Sequence, residues 1–161
     1  MPEHSDDTFL IADLYQGHLF GNANVGIFVL PGIFVDRIDI INVKKSTLKT
    51  VNGPISHRPK YRISGSGASS VLVVDSNDEI SAYNTGFVSD KYIYLAYLGN
   101  TNEEERNGEY VKDILVLDFD GKPVVHYKLD QSVLNITVDE VNRKIYGTTT
   151  DEEPGILVFD Y

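Results

Sequence analysis

Ile114-Leu115-Val116-Leu117-Asp118-Phe119 recurs 42 residues later as Ile156-Leu157-Val158-Phe159-Asp160-Tyr161, and the reading of this pair decides the fold. A looser third copy is Ile38-Asp39-Ile40-Ile41-Asn42-Val43, with Asn42 standing where Asp118 and Asp160 stand. A second motif precedes each copy, and Phe9–Leu14 resembles Tyr92–Tyr97. Phe87-Val88-Ser89-Asp90-Lys91-Tyr92-Ile93-Tyr94 resembles Thr137-Val138-Asp139-Glu140 followed by Lys144-Ile145-Tyr146. A period of about 40–50 residues built from four short strands is the pattern of propeller blades. One such blade cannot cover both its faces alone, so neighbours stack around an axis and bury each other.

Working outward, strand composition dominates. Thr8–Ala12, Gly26–Leu30, Ile33–Val35, Arg37–Val43 and Leu48–Val51 are short and rich in β-branched or aromatic residues. Strand runs resume at Val71–Val74, Ile80–Tyr83, Tyr92–Leu98, Ile114–Phe119, Val124–Leu129, Leu134–Val138, Lys144–Thr148 and Ile156–Tyr161. Asp120-Gly121 between two such runs is a hairpin signal. No apolar i, i+3, i+4, i+7 pattern persists for a dozen residues, so little helix is expected. The prediction is an all-β chain: a partial β-propeller of about three antiparallel blades, each of up to four strands. Residues 1–51 form a first, divergent blade and 52–70 a Gly/Pro/Ser-rich connection. Residues 71–129 form a second blade and 130–161 a third, incomplete one. Residues 15–37, with Gly21, Gly26 and Pro31-Gly32, fit the blade pattern poorly, and their fold is left open.

Composition narrows the function classes. Acidic residues outnumber basic ones 24 to 14, for a net charge of −10. That field repels nucleic acid and anionic lipid. The one dense basic run, His57-Arg58-Pro59-Lys60-Tyr61-Arg62, reads as a solvated loop. Cysteine is absent, which removes disulfides, thiolate metal sites and cysteine nucleophiles together. The first residues lack the basic and apolar regions of a secretion signal, and no apolar run reaches the length of a membrane span.

Lys91-Tyr92-Ile93-Tyr94-Leu95-Ala96-Tyr97-Leu98-Gly99-Asn100, then Ile114–Pro123, Tyr127-Lys128-Leu129-Asp130, Ile136–Glu140 and Lys144-Ile145-Tyr146 together resemble the TolB-like six-bladed propeller proteins common in Bacteroidetes. The resemblance covers residues 80–161 closely and 8–51 loosely. It implies a six-bladed propeller, often exported as a lipoprotein to the periplasm or cell surface, with no catalytic motif to carry over. Six blades need roughly 250–300 residues. Three blades in 161 residues therefore read as a fragment, as an arc that associates with another arc, or as a divergent product in which residues 15–37 fold otherwise.

Candidate chemistry follows from residue types. Asn42, Asp118 and Asp160 are read as structural turn residues whose side chains bond nearby backbone N–H groups. Tyr92, Tyr94, Tyr97 and Tyr146 are the candidate rim or ligand contacts, because tyrosine offers an apolar face and a polar tip to a glycan or a protein. Alternation puts Tyr92 and Tyr94 on one side of a strand. Asp13, Asn24, Asp75, Asn84 and Asp90 are the candidate oxygen ligands for a calcium-type ion, though no local spacing marks them. Gly65-Ser66-Gly67 lacks the lysine of a phosphate loop, and no His-Glu-x-x-His or Gly-x-Ser-x-Gly motif occurs. No cofactor and no catalytic residue is expected. The leading expectation is a non-catalytic binding or scaffold module that recognises a glycan or a protein through rim loops. The alternatives are a metal-dependent propeller hydrolase such as a lactonase, or a truncated propeller without independent function.

Overall fold

Alternating residues of a strand point to opposite faces of its sheet, so Ile27/Val29 and Ile38/Ile40 form one apolar surface while Phe28, Leu30, Asp39 and Ile41 form the other. The computed structural model describes residues 12, 14–57, 59–66, 69–74, 80–101, 104, 107, 110–149 and 155–161. Among them are thirteen strands. β1 (Phe20–Asn22), β2 (Ile27–Pro31), β3 (Arg37–Asn42) and β4 (Thr47–Asn52) make an antiparallel sheet in chain order. β5 (Tyr61–Ser64) and β6 (Val71–Val74) make a separate hairpin. β7 (Ile80–Val88), β8 (Ile93–Thr101), β9 (Val111–Leu117) and β10 (Pro123–Val133) make a second four-stranded sheet. β11 (Asn135–Asp139), β12 (Lys144–Thr148) and β13 (Ile156–Asp160) make a third sheet of three strands.

The recurring segments are β3, β9 and β13, each the third strand of its own sheet. β1 packs on β7 and β7 packs on β11, so the first strands of the three sheets stand side by side, as strands lining a propeller axis do. The architecture is an open, all-β partial propeller.

Two cores lie between the sheets. Ile27, Val29, Ile38 and Ile40 of the first sheet meet Ile93, Leu95 and Leu117 of the second. On its other face the second sheet presents Tyr94, Ala96, Ile114 and Val116 to Ile136, Val138 and Ile145 of the third. β8 and β9 alternate between the two cores, so the middle sheet is apolar on both faces. Bulges in the β7–β8 pairing interrupt that alternation and let the consecutive residues Ala82 and Tyr83 both enter the first core.

Several boundaries differ from the sequence reading. Residues 15–37 supply the inner half of the first sheet: Gly26, at φ 76°, closes the β1–β2 turn by donating its N–H to Asn22 O. Ile33-Phe34-Val35 is not a strand. It belongs to the β2–β3 connection, where Gly32 N donates to Arg37 O and Val35 and Asp36 turn inward. Val71–Val74 pairs with β5 rather than with the second sheet. β10 runs to Val133, and Leu134 alone separates it from β11. Thr8–Ile11, most of the first predicted strand, lies outside the described residues. No helix among the described residues is long and apolar enough to cross a membrane.

Candidate functional site

Turn chemistry fixes the loops on which any site must stand. Asn42 Oδ1 accepts the Lys45 N–H at 3.0 Å, and Asp118 Oδ1 accepts those of Asp120 and Lys122 at 2.9 and 2.8 Å. Asp160 instead accepts from Lys144 Nζ at 2.6 Å across the third sheet. A second set of such residues closes the turn after each innermost strand. Asn22 accepts from Asn24 N, Ser89 Oγ from Lys91 N and Tyr92 N, and Asp139 Oδ1 from Val141 N and Asn142 N. These two series of turns lie at the same end of the sheets: Val43 N donates to Gly26 O, and Lys44 Nζ donates to Asn24 O.

At this end the junction of the second and third sheets opens into a cleft of about 360 Å³. Tyr92, Tyr94, Tyr127 and Tyr161 line it together with Lys91, Glu140 and Arg143. Glu140 Oε1 accepts from Ser89 Oγ at 2.7 Å and from the Tyr94 hydroxyl at 2.9 Å, which ties the third sheet's first turn to the second sheet. The Tyr127 and Tyr161 rings lie 4.9 Å apart and tilted by 52°, and the Arg143 guanidinium sits 5.9 Å from the Tyr161 centroid. The cleft thus offers half-buried aromatic faces with cationic groups and a carboxylate at its edge.

The four predicted tyrosines do not form one cluster. Tyr92 and Tyr94 share this cleft. Tyr97 faces the first sheet, its ring 5.3 Å from Tyr83, and its buried hydroxyl has no hydrogen-bond partner among the described residues. Tyr146 lies on the uncovered face of the third sheet, opposite Val158. The predicted metal ligands are not gathered either. Asn24 lies in the β1–β2 turn, Asp90 accepts from Asn22 Nδ2 at 3.1 Å, and Asn84 in β7 donates to Leu134 O at 2.6 Å. Asp13 and Asp75 lie outside the described residues. Among the described residues no group of three or more His, Asp or Glu side chains is placed to hold a metal.

Asp36 was not anticipated. It is 1% exposed, and its carboxylate accepts from Ile55 N at 2.7 Å, Ser56 N at 2.9 Å and the Tyr83 hydroxyl at 2.8 Å. Its own N–H donates to His57 O, and its carbonyl accepts from Gly53 N. One side chain therefore locks the exit from β4 onto the β2–β3 connection and onto the second sheet. Gly53 has to be glycine, because a Cβ there would overlap the Asp36 carboxylate and the Tyr83 hydroxyl. Only the spacing of Asp36 within an apolar stretch hints at this in sequence.

Burial, reinforced by the Asp36 carboxylate, holds the Tyr83 phenol far above its ordinary value. Burial, then hydrogen bonding with Tyr161 and Glu140, does the same for Tyr94. Burial and the charges of Asp36 and Asp113 push Tyr97 up to about 12. The fold favours the neutral phenol, so this contribution to stability is whole below the unfolded tyrosine value of 10.0 and is lost as pH climbs from there towards about 12. In an alkaline titration of tyrosinate absorbance, a late-titrating subset of the ten tyrosines should ionise together with loss of sheet circular dichroism. Smooth ionisation of all ten near the ordinary value, with the sheet intact, would contradict this arrangement.

The family model described as TolB-like 6-blade propeller-like matches residues 12–141, which spans the first two large sheets and the start of the third. No curated protein matches the chain.

Proposed function

Since the chain belongs to the TolB-like 6-blade propeller-like family, we propose that it is a non-catalytic binding module whose tyrosine cleft recognises a glycan. The observation that supports this reading is the convergence of Tyr92, Tyr94, Tyr127 and Tyr161 with Lys91, Glu140 and Arg143 where two sheets meet. Pyranose rings present apolar C–H faces to aromatic rings, and their hydroxyls match charged groups at the edge. Tyr94 and Tyr127 stand on strands β8 and β10, and the others stand on or beside short turns closed by Ser89 and Asp139, which limits the entropy lost on binding. Glu140 is committed to Ser89 and Tyr94, a positioning arrangement rather than a poised acid or base.

The test is a screen of neutral oligosaccharides followed by titration of the best binder. Tyr92→Ala and Arg143→Ala are each expected to weaken binding at least tenfold, about 1.4 kcal/mol. Tyr146→Ala, on the opposite face of the third sheet, should leave it unchanged. Absence of any binder, or equal affinity in the Tyr92→Ala protein, would overturn the reading.

A further inference from the structure

Sheets that radiate from one axis diverge towards their outer strands, where larger side chains are needed to close the gap. The two junctions meet this need differently. In the second sheet Ile114 pairs with Tyr127, whose ring lies 4.9 Å from that of Tyr161. In the first sheet the repeat counterpart of Ile114 is Ile38, and it pairs with Val51. Phe119, at the repeat position of Tyr161, packs against the first core. The first junction thus keeps one ring of the aromatic pair and has valine in place of the other. Val51 lines a cavity of about 440 Å³ between these two sheets, each of which has four strands. Ile38, Val51 and Pro54 wall it on one side and Leu115, Leu117 and Pro123 on the other. The β9–β10 turn is held against Val51: Lys49 Nζ donates to Asp120 O, and a Cβ on Gly121 would meet Val51 Cγ1 at 2.7 Å. His126, paired with Leu115 across β9 and β10, supplies a polar group to the lining. Its Nε2 bonds Asp113 Oδ1 at 2.6 Å. A carboxylate only accepts, so Nε2 carries the proton and Nδ1 is left as an acceptor. Among the described residues no lysine or arginine lines the cavity, and the chain carries a net charge of −10.

We propose that this cavity binds a neutral aromatic alcohol. The ligand's ring takes the place that Tyr127 fills in the second junction, between apolar walls from both sheets. Its hydroxyl donates to His126 Nδ1. A carboxylate in the same position would give up its hydration with no cation to replace it, and would lie beside Asp113. The site stands between the first and second sheets and is separate from the tyrosine cleft, which stands between the second and third.

Fluorescence titration with 2-naphthol, a two-ring phenol that is neutral at neutral pH, tests the site, and amide chemical-shift mapping locates the probe. 2-Naphthol should perturb the amides of Val51, Leu115 and His126. It should bind roughly tenfold tighter than naphthalene, which lacks the hydroxyl, and than 2-naphthoate, which is charged. Val51→Tyr rebuilds the pairing of the second junction, so it should weaken 2-naphthol binding about tenfold or more while the melting temperature holds or rises. His126→Ala should cut the preference for 2-naphthol over naphthalene to less than about threefold. The His126 side chain is 56% exposed, so this variant reads the site even where Val51→Tyr fails to fold. Absence of 2-naphthol binding, shifts confined to Tyr92, Tyr94 and Arg143, equal affinity for 2-naphthoate, unchanged affinity in a folded Val51→Tyr protein, or an intact hydroxyl preference in His126→Ala would each overturn the proposal.

Discussion

Asp36→Ala is expected to lower stability by roughly 3–5 kcal/mol, the range for removing one partner from a buried, charged hydrogen-bond set. The substitution takes away the acceptor of three hydrogen bonds at 2.7–2.9 Å. It leaves the N–H groups of Ile55 and Ser56 and the Tyr83 hydroxyl without it. Asp36→Asn should also be damaging. Its amide can still accept from Tyr83 or from the backbone, but its NH₂ group then faces a donor. Tyr83→Phe removes a single bond to a carboxylate and should cost about 1.5–3 kcal/mol. For a chain of this length 1 kcal/mol corresponds to roughly 2–4 °C in melting temperature, so Asp36→Ala should melt at least about 6 °C below wild type. A thermal melt in which Tyr83→Phe is the worse of the two, or in which Asp36→Ala is silent, would refute the role assigned to this carboxylate.

Ile114→Ala should cost about 2–5 kcal/mol, the usual range for truncating a fully buried isoleucine. Ile114 is 0% exposed and lies in the core between the second and third sheets. Its repeat counterpart Ile156 is 63% exposed. Ile156→Ala should change stability by no more than about 0.5 kcal/mol. The two residues share sequence context, strand position and side chain, and differ only in what covers them. Urea denaturation of both variants reads the difference directly. Equal costs would mean that the repeat equivalence does not describe the packing.

Sequence alone revealed the third strands most clearly, for a physical reason. β9 lies in a sheet buried on both faces, so Ile114–Leu117 is apolar throughout, and its copy at Ile156–Phe159 keeps that character. Asn42 and Asp118, which end two of the segments, are equally visible, because the turn each serves lies within four residues, whereas Asp160 bonds Lys144 instead. Residues 15–37 were harder. Gly26–Leu30 reads as a strand, but the glycines and Pro31-Gly32 around it hide its place in a blade until β3 pairs with β2. Asp36 was marked only by its place in an apolar stretch, because its partners come from Ile55, Ser56 and Tyr83, brought close only by the fold. Glu140 posed the same difficulty, since Ser89 and Tyr94 reach it from the neighbouring sheet. The tyrosines were identifiable as a group, yet their division among two junctions and an outer face depends on strand alternation that the β7–β8 bulges partly reset.

The middle sheet is the only one of the three large sheets that touches a neighbour on each side. Detaching an outer sheet sacrifices one contact surface, whereas opening the middle sheet sacrifices two at once. Amide protons of β8 and β9 are therefore expected to be the last to trade with solvent deuterium, and those of β4 and β13 the first. The molecule behaves like a short stack of leaves clasped at the centre, with its cooperativity concentrated in one leaf and its sensitivity to damage graded outwards.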